Sequence, residues 1–189
     1  EKALDVIGRP EITITKIAKG NPLGFKIKTA LAPKLALPDY KTIAKEVNKN
    51  KPETKEKHRL TLIDALVNAA KVEIPPILIE NELDKMVHEM KNDISAMGLK
   101  FEDYLKHLKK SEEDLKKDWQ DGAKKRIIAS LTLTEIGIKE NVKATEEEIK
   151  PHLETLQMEH KDADPLRLRV YLENAIASEK TLQFLESLV

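Results

Sequence analysis

Cysteine is absent from this 189-residue chain. That excludes a disulfide framework, a thiol nucleophile and a cysteine-ligated zinc site, and it agrees with a reducing cytosol. Aromatic residues are scarce, at 4% against 40% apolar residues, so a core must be built from Leu, Ile, Val and Ala. Neither charge sign prevails. The 33 basic and 33 acidic residues give no chain-wide attraction to nucleic acid or to an anionic membrane. No apolar run approaches the roughly 20 residues that a helix needs to cross a bilayer. A glycine-rich phosphate loop is also missing, and Gly20 and Gly24 read as turn residues. No serine stands in a nucleophile-elbow context. The five histidines do not assemble by spacing. His88-Glu89 lacks the second histidine of a helical His-Glu-x-x-His zinc site. His152 and His160 are too far apart for one ion on a straight helix, and His58 and His107 stand alone. No metal, cofactor or catalytic residue is expected. The chain begins at Glu1 rather than at methionine, so a preceding segment is expected and a missing leader carries no information.

Two textures follow one another. Ile12, Ile14 and Ile17 lie in a β-branched run, and Phe25, Ile27, Thr29 and Leu31 alternate with Lys26, Lys28 and Ala30 beyond Gly20-Asn21-Pro22-Leu23-Gly24. This pattern predicts a β-hairpin, whose further sheet partners are expected upstream. Pro33 and Pro38 end it. Residues 42–58 are polar and lysine-rich, with Asn48, Asn50 and Pro52, and an extended linker is placed at 39–55. From about Glu56 the period becomes helical. One helix carries Leu60, Ile63, Leu66 and Val67 and stops before Pro75-Pro76. A second carries Ile79, Leu83, Met86, Val87, Met90, Ile94 and Met97 on one face and ends at Gly98. A short helix bears Phe101, Tyr104, Leu105 and Leu108. Ser111 with Asp114 opens a long helix to about Asn141, Thr145 with Glu148 forms a capping box, and Asp164-Pro165 opens the last helix. The acidic run Glu146 to Glu148 suits a helix N-terminus better than a metal.

Methionine on an amphipathic helix is the informative feature. Met86, Met90 and Met97 share a face with Ile94, and an unbranched, polarizable side chain adapts to changing partners. The plainer reading is that this face is core. Long charged helices joined by prolines suggest open arms with exposed inner apolar surface.

Five ordered stretches carry a resemblance: residues 72–83 around the double proline, Gly98 to Leu105, Ser111 to Ile136, Thr145 to Ile149 and Glu179 to Leu185. Together they resemble the C-terminal domain of bacterial trigger factor, and residues 10–47 are similar to the end of that family's ribosome-binding domain and its linker. The resemblance implies a mainly α fold of elongated helical arms with a small N-terminal hairpin. It divides the chain into a hairpin remnant at 1–38, a linker at 39–55 and a helical client-holding domain at 56–189. It implies a cytoplasmic, ATP-independent chaperone without cofactor or metal that holds unfolded or nascent polypeptides and can form a homodimer. Met86, Met90, Ile94, Met97, Leu99, Phe101, Tyr104, Leu108, Met158 and Tyr171 are the expected client-binding residues. Two family features have no counterpart. Gly24-Phe25-Lys26-Ile27-Lys28 lacks the second glycine of the ribosome-docking loop, and no stretch between the linker and the helices accommodates an FKBP-like isomerase domain. The other readings are a periplasmic-type chaperone with similar arms, and a helical adaptor for one folded partner.

Overall fold

In a computed structural model the described residues are 6–17, 20, 22–31, 33, 35–50, 54–159 and 163–189. Turn position Asn21, the linker stretch around Pro52 and His160 lie outside them. The alternation near the N-terminus forms β1 (Val6–Lys16) and β2 (Gly24–Leu31), paired antiparallel. Ile12 stands opposite Ile27, and Ile14 opposite Phe25. Directly opposed residues share a sheet face, so these four apolar side chains lie on one side and Thr13 and Lys26 on the other. All four are exposed. Among the described residues the sheet has two strands, which leaves an unpaired edge on each.

The polar segment after Pro38 is not an extended linker throughout. Residues Tyr40–Lys49 form α1, capped by Asp39, whose side chain accepts from the Thr42 amide at 3.3 Å. Tyr40 and Ala44 are buried. Tyr40, Ile43, Ala44 and Val47 recur at i, i+3, i+4 and i+7, the spacing of one helix face, so the pattern was present in the sequence beneath the lysine-rich composition, and Ile43 and Val47 pack against the same core.

The described residues group into two compact units, one within 1–34 and 73–127, the other within 35–72 and 128–189. The first holds the hairpin, α3 (Pro76–Ala96), α4 (Phe101–Leu108), α5 (Glu112–Asp118) and the start of α6 (Gln120–Lys139). Its apolar cluster is Val87, Ile94, Phe101 and Leu115, with Met90, Tyr104, Leu105 and Trp119 packed against it. The expected single helix from Ser111 to Asn141 is two helices, α5 and α6, parted at Trp119, where ψ is −1°. Ser111 and Asp114 make both bonds of a capping box, at 3.1 and 3.0 Å.

The second unit holds α1, α2 (Lys55–Ala69), the rest of α6, α7 (Glu146–Glu159) and α8 (Pro165–Ser187). Its core comprises Tyr40, Ala44, Leu62, Leu66, Ile136, Leu182 and Leu185. On α2 the buried face runs His58, Leu62, Leu66, and Leu60 is exposed. Polar His58 interrupts the face, which is why a hydropathy pattern rotates toward Leu60. Buried His58 has a partner: its Nε2 donates to Asn48 Oδ1 at 2.8 Å. Asn48 Nδ2 in turn donates toward three carbonyls at the end of α8, those of Leu185, Glu186 and Leu188, at 2.9, 3.3 and 2.6 Å. A helix leaves its last carbonyls without partners, and here a side chain from α1's last turn satisfies them. Arg59 lies beside this clasp and bonds Glu186 and Glu179 on α8 at 2.8 and 2.6 Å.

Helices α6 and α8 approach closely because position 137 is glycine. A Cβ there would stand 2.8 Å from Thr181 Oγ1, whose hydroxyl is buried and donates to the Ala177 carbonyl. At Gly122, also on α6, a Cβ meets nothing within 4 Å. The two sites therefore respond oppositely to one substitution. Gly122→Ala stabilises by about 0.5–1 kcal/mol through helix propensity. Gly137→Ala destabilises, because overpacking costs about 1–3 kcal/mol against that gain. Urea unfolding of both variants checks this, and equal shifts would show that α6 and α8 do not depend on a bare backbone at 137.

Five glutamates tie the helices and carry a pH signature. Lys91 holds Glu112 low, Lys41 holds Glu140 low, Arg169 holds Glu146 low, and Arg59 holds Glu179 low; Glu148 is lowered first by the Thr145 amide and then by Lys180. All lie below the ordinary value of 4.5. A carboxyl group with a depressed folded pKa binds fewer protons folded than unfolded. Its contribution is therefore whole above the ordinary value and fades as pH falls through the folded one. The thermal midpoint should be level from about pH 7 to about pH 5, fall below that, and fall less in high salt. A midpoint that rises on acidification would contradict these pairs.

Candidate functional site

The end of α3 shows how local chemistry builds the first candidate surface. Gly98 adopts φ of +74°, a left-handed conformation that costs glycine little. Its amide donates to the Ser95 carbonyl at 2.9 Å and the Leu99 amide to the Ile94 carbonyl at 3.1 Å, a Schellman closure. Met97, just before this turn, is 73% exposed, and Leu99, just after it, is exposed as well. Beyond the turn Phe101 returns to the core. Lys91 stands over its ring, 4.9 Å from the centroid, and bonds Glu112 at 2.8 Å. Leu108, near the end of α4, is again exposed.

The expected residues thus divide. Ile94 and Phe101, 5% and 8% exposed, are members of the core cluster and offer no surface. Met90 and Tyr104 are half-buried against the same cluster, and Met86 is half-buried on α3. Met97, Leu99 and Leu108 face solvent. A three-residue spacing puts Ile94 and Met97 on one helix face, but α4 covers only part of that face.

In the second unit Met158 on α7 and Tyr171 on α8 are 73% and 61% exposed. Leu166 and Val170, one helical turn apart on α8, are exposed too and were not anticipated. Their signal was a short i, i+4 pair lying off the Leu168 and Leu172 face. The hairpin's apolar face was legible as alternation but not as a binding surface. Among the described residues no group of three or more His, Asp or Glu side chains could hold a metal, and no helix is long and apolar enough to cross a membrane. Among the described residues, exposed apolar side chains thus stand at the α3–α4 turn, on α7 and α8 and on one face of the hairpin.

A family model described as bacterial trigger factor protein (TF) C-terminus matches residues 40–186. The chain belongs to the trigger factor family. A second model, bacterial trigger factor protein (TF), matches residues 1–66 of this trigger factor chain. Trigger factor from Halothermothrix orenii is 34% identical over 112 residues, covering 59% of this chain and 26% of its own length. Trigger factor from Staphylococcus carnosus is 38% identical over 112 residues, covering 59% and 24%. The chain thus spans about a quarter of these relatives. A solved structure of trigger factor domains from Thermotoga maritima superposes with a TM-score of 0.50 at 17% identity, covering 82% of this chain and 98% of that one. That likeness supports the mainly helical fold. The C-terminal match begins at residue 40, the first residue of α1, and the second match runs through α1 to residue 66, so the two overlap there.

Proposed function

We propose that this trigger factor chain is an ATP-independent holdase that binds apolar segments of unfolded or nascent polypeptides. The exposed apolar residues at helix ends carry the reading, above all Met97 and Leu99 beside the α3 turn and Met158, Leu166, Val170 and Tyr171 on α7 and α8. Burying one such side chain gains roughly 1.5–3 kcal/mol. Ordering a client costs several kcal/mol or more, so several contacts must act together and each stays weak. Release then needs no nucleotide, because client folding buries the same groups. Ile94 and Phe101 support the surface from beneath. Met86, Met90 and Tyr104 contribute edges.

Ribosome docking is not assigned to residues 24–28, which lack the second glycine of the family's docking loop. The exposed face of Ile12, Ile14, Phe25 and Ile27 is assigned to protein contact, with a second copy as one partner. The cytosol is the proposed compartment. Prolyl isomerase catalysis is not expected of these residues, and a protease-coupled proline-peptide assay should give the uncatalysed rate; acceleration would sink that assignment.

The test of the main reading is aggregation suppression without nucleotide, using several unrelated denatured proteins. A holdase protects most of them. Protection of one alone would make the chain an adaptor, and protection of none would end the proposal.

A further inference from the structure

The chain has no cysteine, so its four methionines are its only sulfur atoms. A two-electron oxidant that would elsewhere be consumed by a thiol meets only thioethers here. The four are not equivalent. Met97 and Met158 are each 73% exposed, whereas Met86 and Met90 are half-buried and Met90 packs against the Val87, Ile94, Phe101 and Leu115 cluster. Thioether oxidation follows access of the oxidant to sulfur. Neither exposed methionine belongs to an apolar core cluster. Met97 follows the last residue of α3 and its backbone, not its side chain, holds the helix closure, donating to the Asp93 carbonyl at 3.2 Å. Met158 stands at the second-last position of α7. A polar oxygen added to either sulfur disturbs no packing, yet it removes apolar surface where that surface faces solvent.

We propose that Met97 and Met158 are a peroxide-responsive pair, one in each unit, whose oxidation to sulfoxide weakens polypeptide holding while the fold persists. The step balances. A lone pair of the thioether sulfur attacks one oxygen of hydrogen peroxide, the O–O bond breaks, and an S–O bond forms. Sulfur is oxidised by two electrons, the peroxide is reduced, and the departing hydroxide takes the remaining proton and leaves as water. Methionine sulfoxide reductases return the sulfoxide to thioether, taking two electrons from thiols, which become a disulfide, and releasing the oxygen as water, so the change is reversible. The modification site stands on exposure alone; its effect on holding rests on the function proposed above.

The experiment treats the full chain with hydrogen peroxide and follows each methionine by peptide mass spectrometry. Far-UV circular dichroism and binding of a labelled, permanently unfolded polypeptide are read in parallel. Met97 and Met158 should oxidise at least about tenfold faster than Met86 and Met90, in line with their access. Binding should weaken roughly tenfold when both are oxidised, equivalent to losing one apolar contact, with helix content unchanged, and should return after treatment with the two sulfoxide reductases. The variant Met97→Leu/Met158→Leu should show the same binding before and after peroxide, and a peroxide-induced loss in it would overturn the pair as the responsive site. Equal oxidation of all four methionines overturns the site assignment. Selective oxidation with unchanged binding overturns the switch. If the untreated chain does not bind the polypeptide at all, the holdase reading fails, and the switch with it, while the oxidation rates still judge the modification site.

Discussion

A lysine in place of Ile94 lowers the stability of the first unit by about 3–5 kcal/mol, while a lysine at Met97, one turn further on, changes it by less than about 0.5 kcal/mol. Ile94 is 5% exposed among the apolar side chains of Val87, Phe101 and Leu115, so an ammonium placed there loses its water. The desolvated charge must either unfold the cluster or drag the helix aside. Met97 already faces water, and a lysine there keeps its charge hydrated. Met90→Lys falls between, at about 1–2 kcal/mol, because a half-buried stem can lie along the cluster and lift its ammonium into solvent. Trp119, the single tryptophan, packs on this same cluster, so its fluorescence during urea unfolding reads the affected unit directly. Aggregation suppression should invert the order among folded variants: Met97→Lys retains its fold and loses holding, roughly tenfold in affinity. Equal stability losses at positions 94 and 97 would mean that α3 buries both and that the polypeptide surface lies elsewhere.

Truncating Asn48 to alanine costs about 2–4 kcal/mol of stability in the second unit. The side chain answers two needs at once. It accepts from buried His58 at 2.8 Å, and it donates toward the carbonyls of Leu185, Glu186 and Leu188. Removal leaves a buried histidine nitrogen and the half-buried end of α8 without their present partners. Asn48→Asp should be at least as costly. It keeps the acceptor toward His58 but loses the donors, and it sets a negative charge against a helix C-terminus. Urea unfolding followed by circular dichroism gives the magnitude. Amide exchange gives the place, since the Leu188 amide, which donates to Leu185 O at 3.3 Å, should lose protection before the middle of α8 does. A loss smaller than about 0.5 kcal/mol in Asn48→Ala would show that water replaces the clasp.

Helix boundaries were the most legible part of the chain. Ser111 with Asp114, Thr145 with Glu148, Asp164 before Pro165, and Gly98 all act where their spacing says they should. Asp164 accepts from the Leu166 amide at 2.9 Å, and the Glu148 carboxylate accepts from the Thr145 amide at 2.7 Å. Capping joins groups at most a few residues apart, so the chemistry that decides it is contained in the local stretch. The hairpin was legible for the same reason: alternation fixes which residues share a face.

The candidate surface was only half legible. Periodicity put Met90, Ile94 and Met97 together, but which of them α4 covers depends on where the Gly98 turn sends the chain. On α8 the pair Leu166 and Val170 looked like any short apolar spacing, and its exposure follows from which side of α8 the core occupies.

The residue order by itself thus determined the mainly helical class, the hairpin, the caps and the family resemblance, because each depends on contacts a few residues apart or on ordered local motifs. The tertiary structure alone decided that α2 turns His58 and Leu62 inward rather than Leu60, that Gly137 admits Thr181, and that Asn48 closes α8. Those contacts join positions as much as 140 residues apart, as from Asn48 to Leu188. Local periodicity says that a face is apolar, and only the packed partner says what covers it.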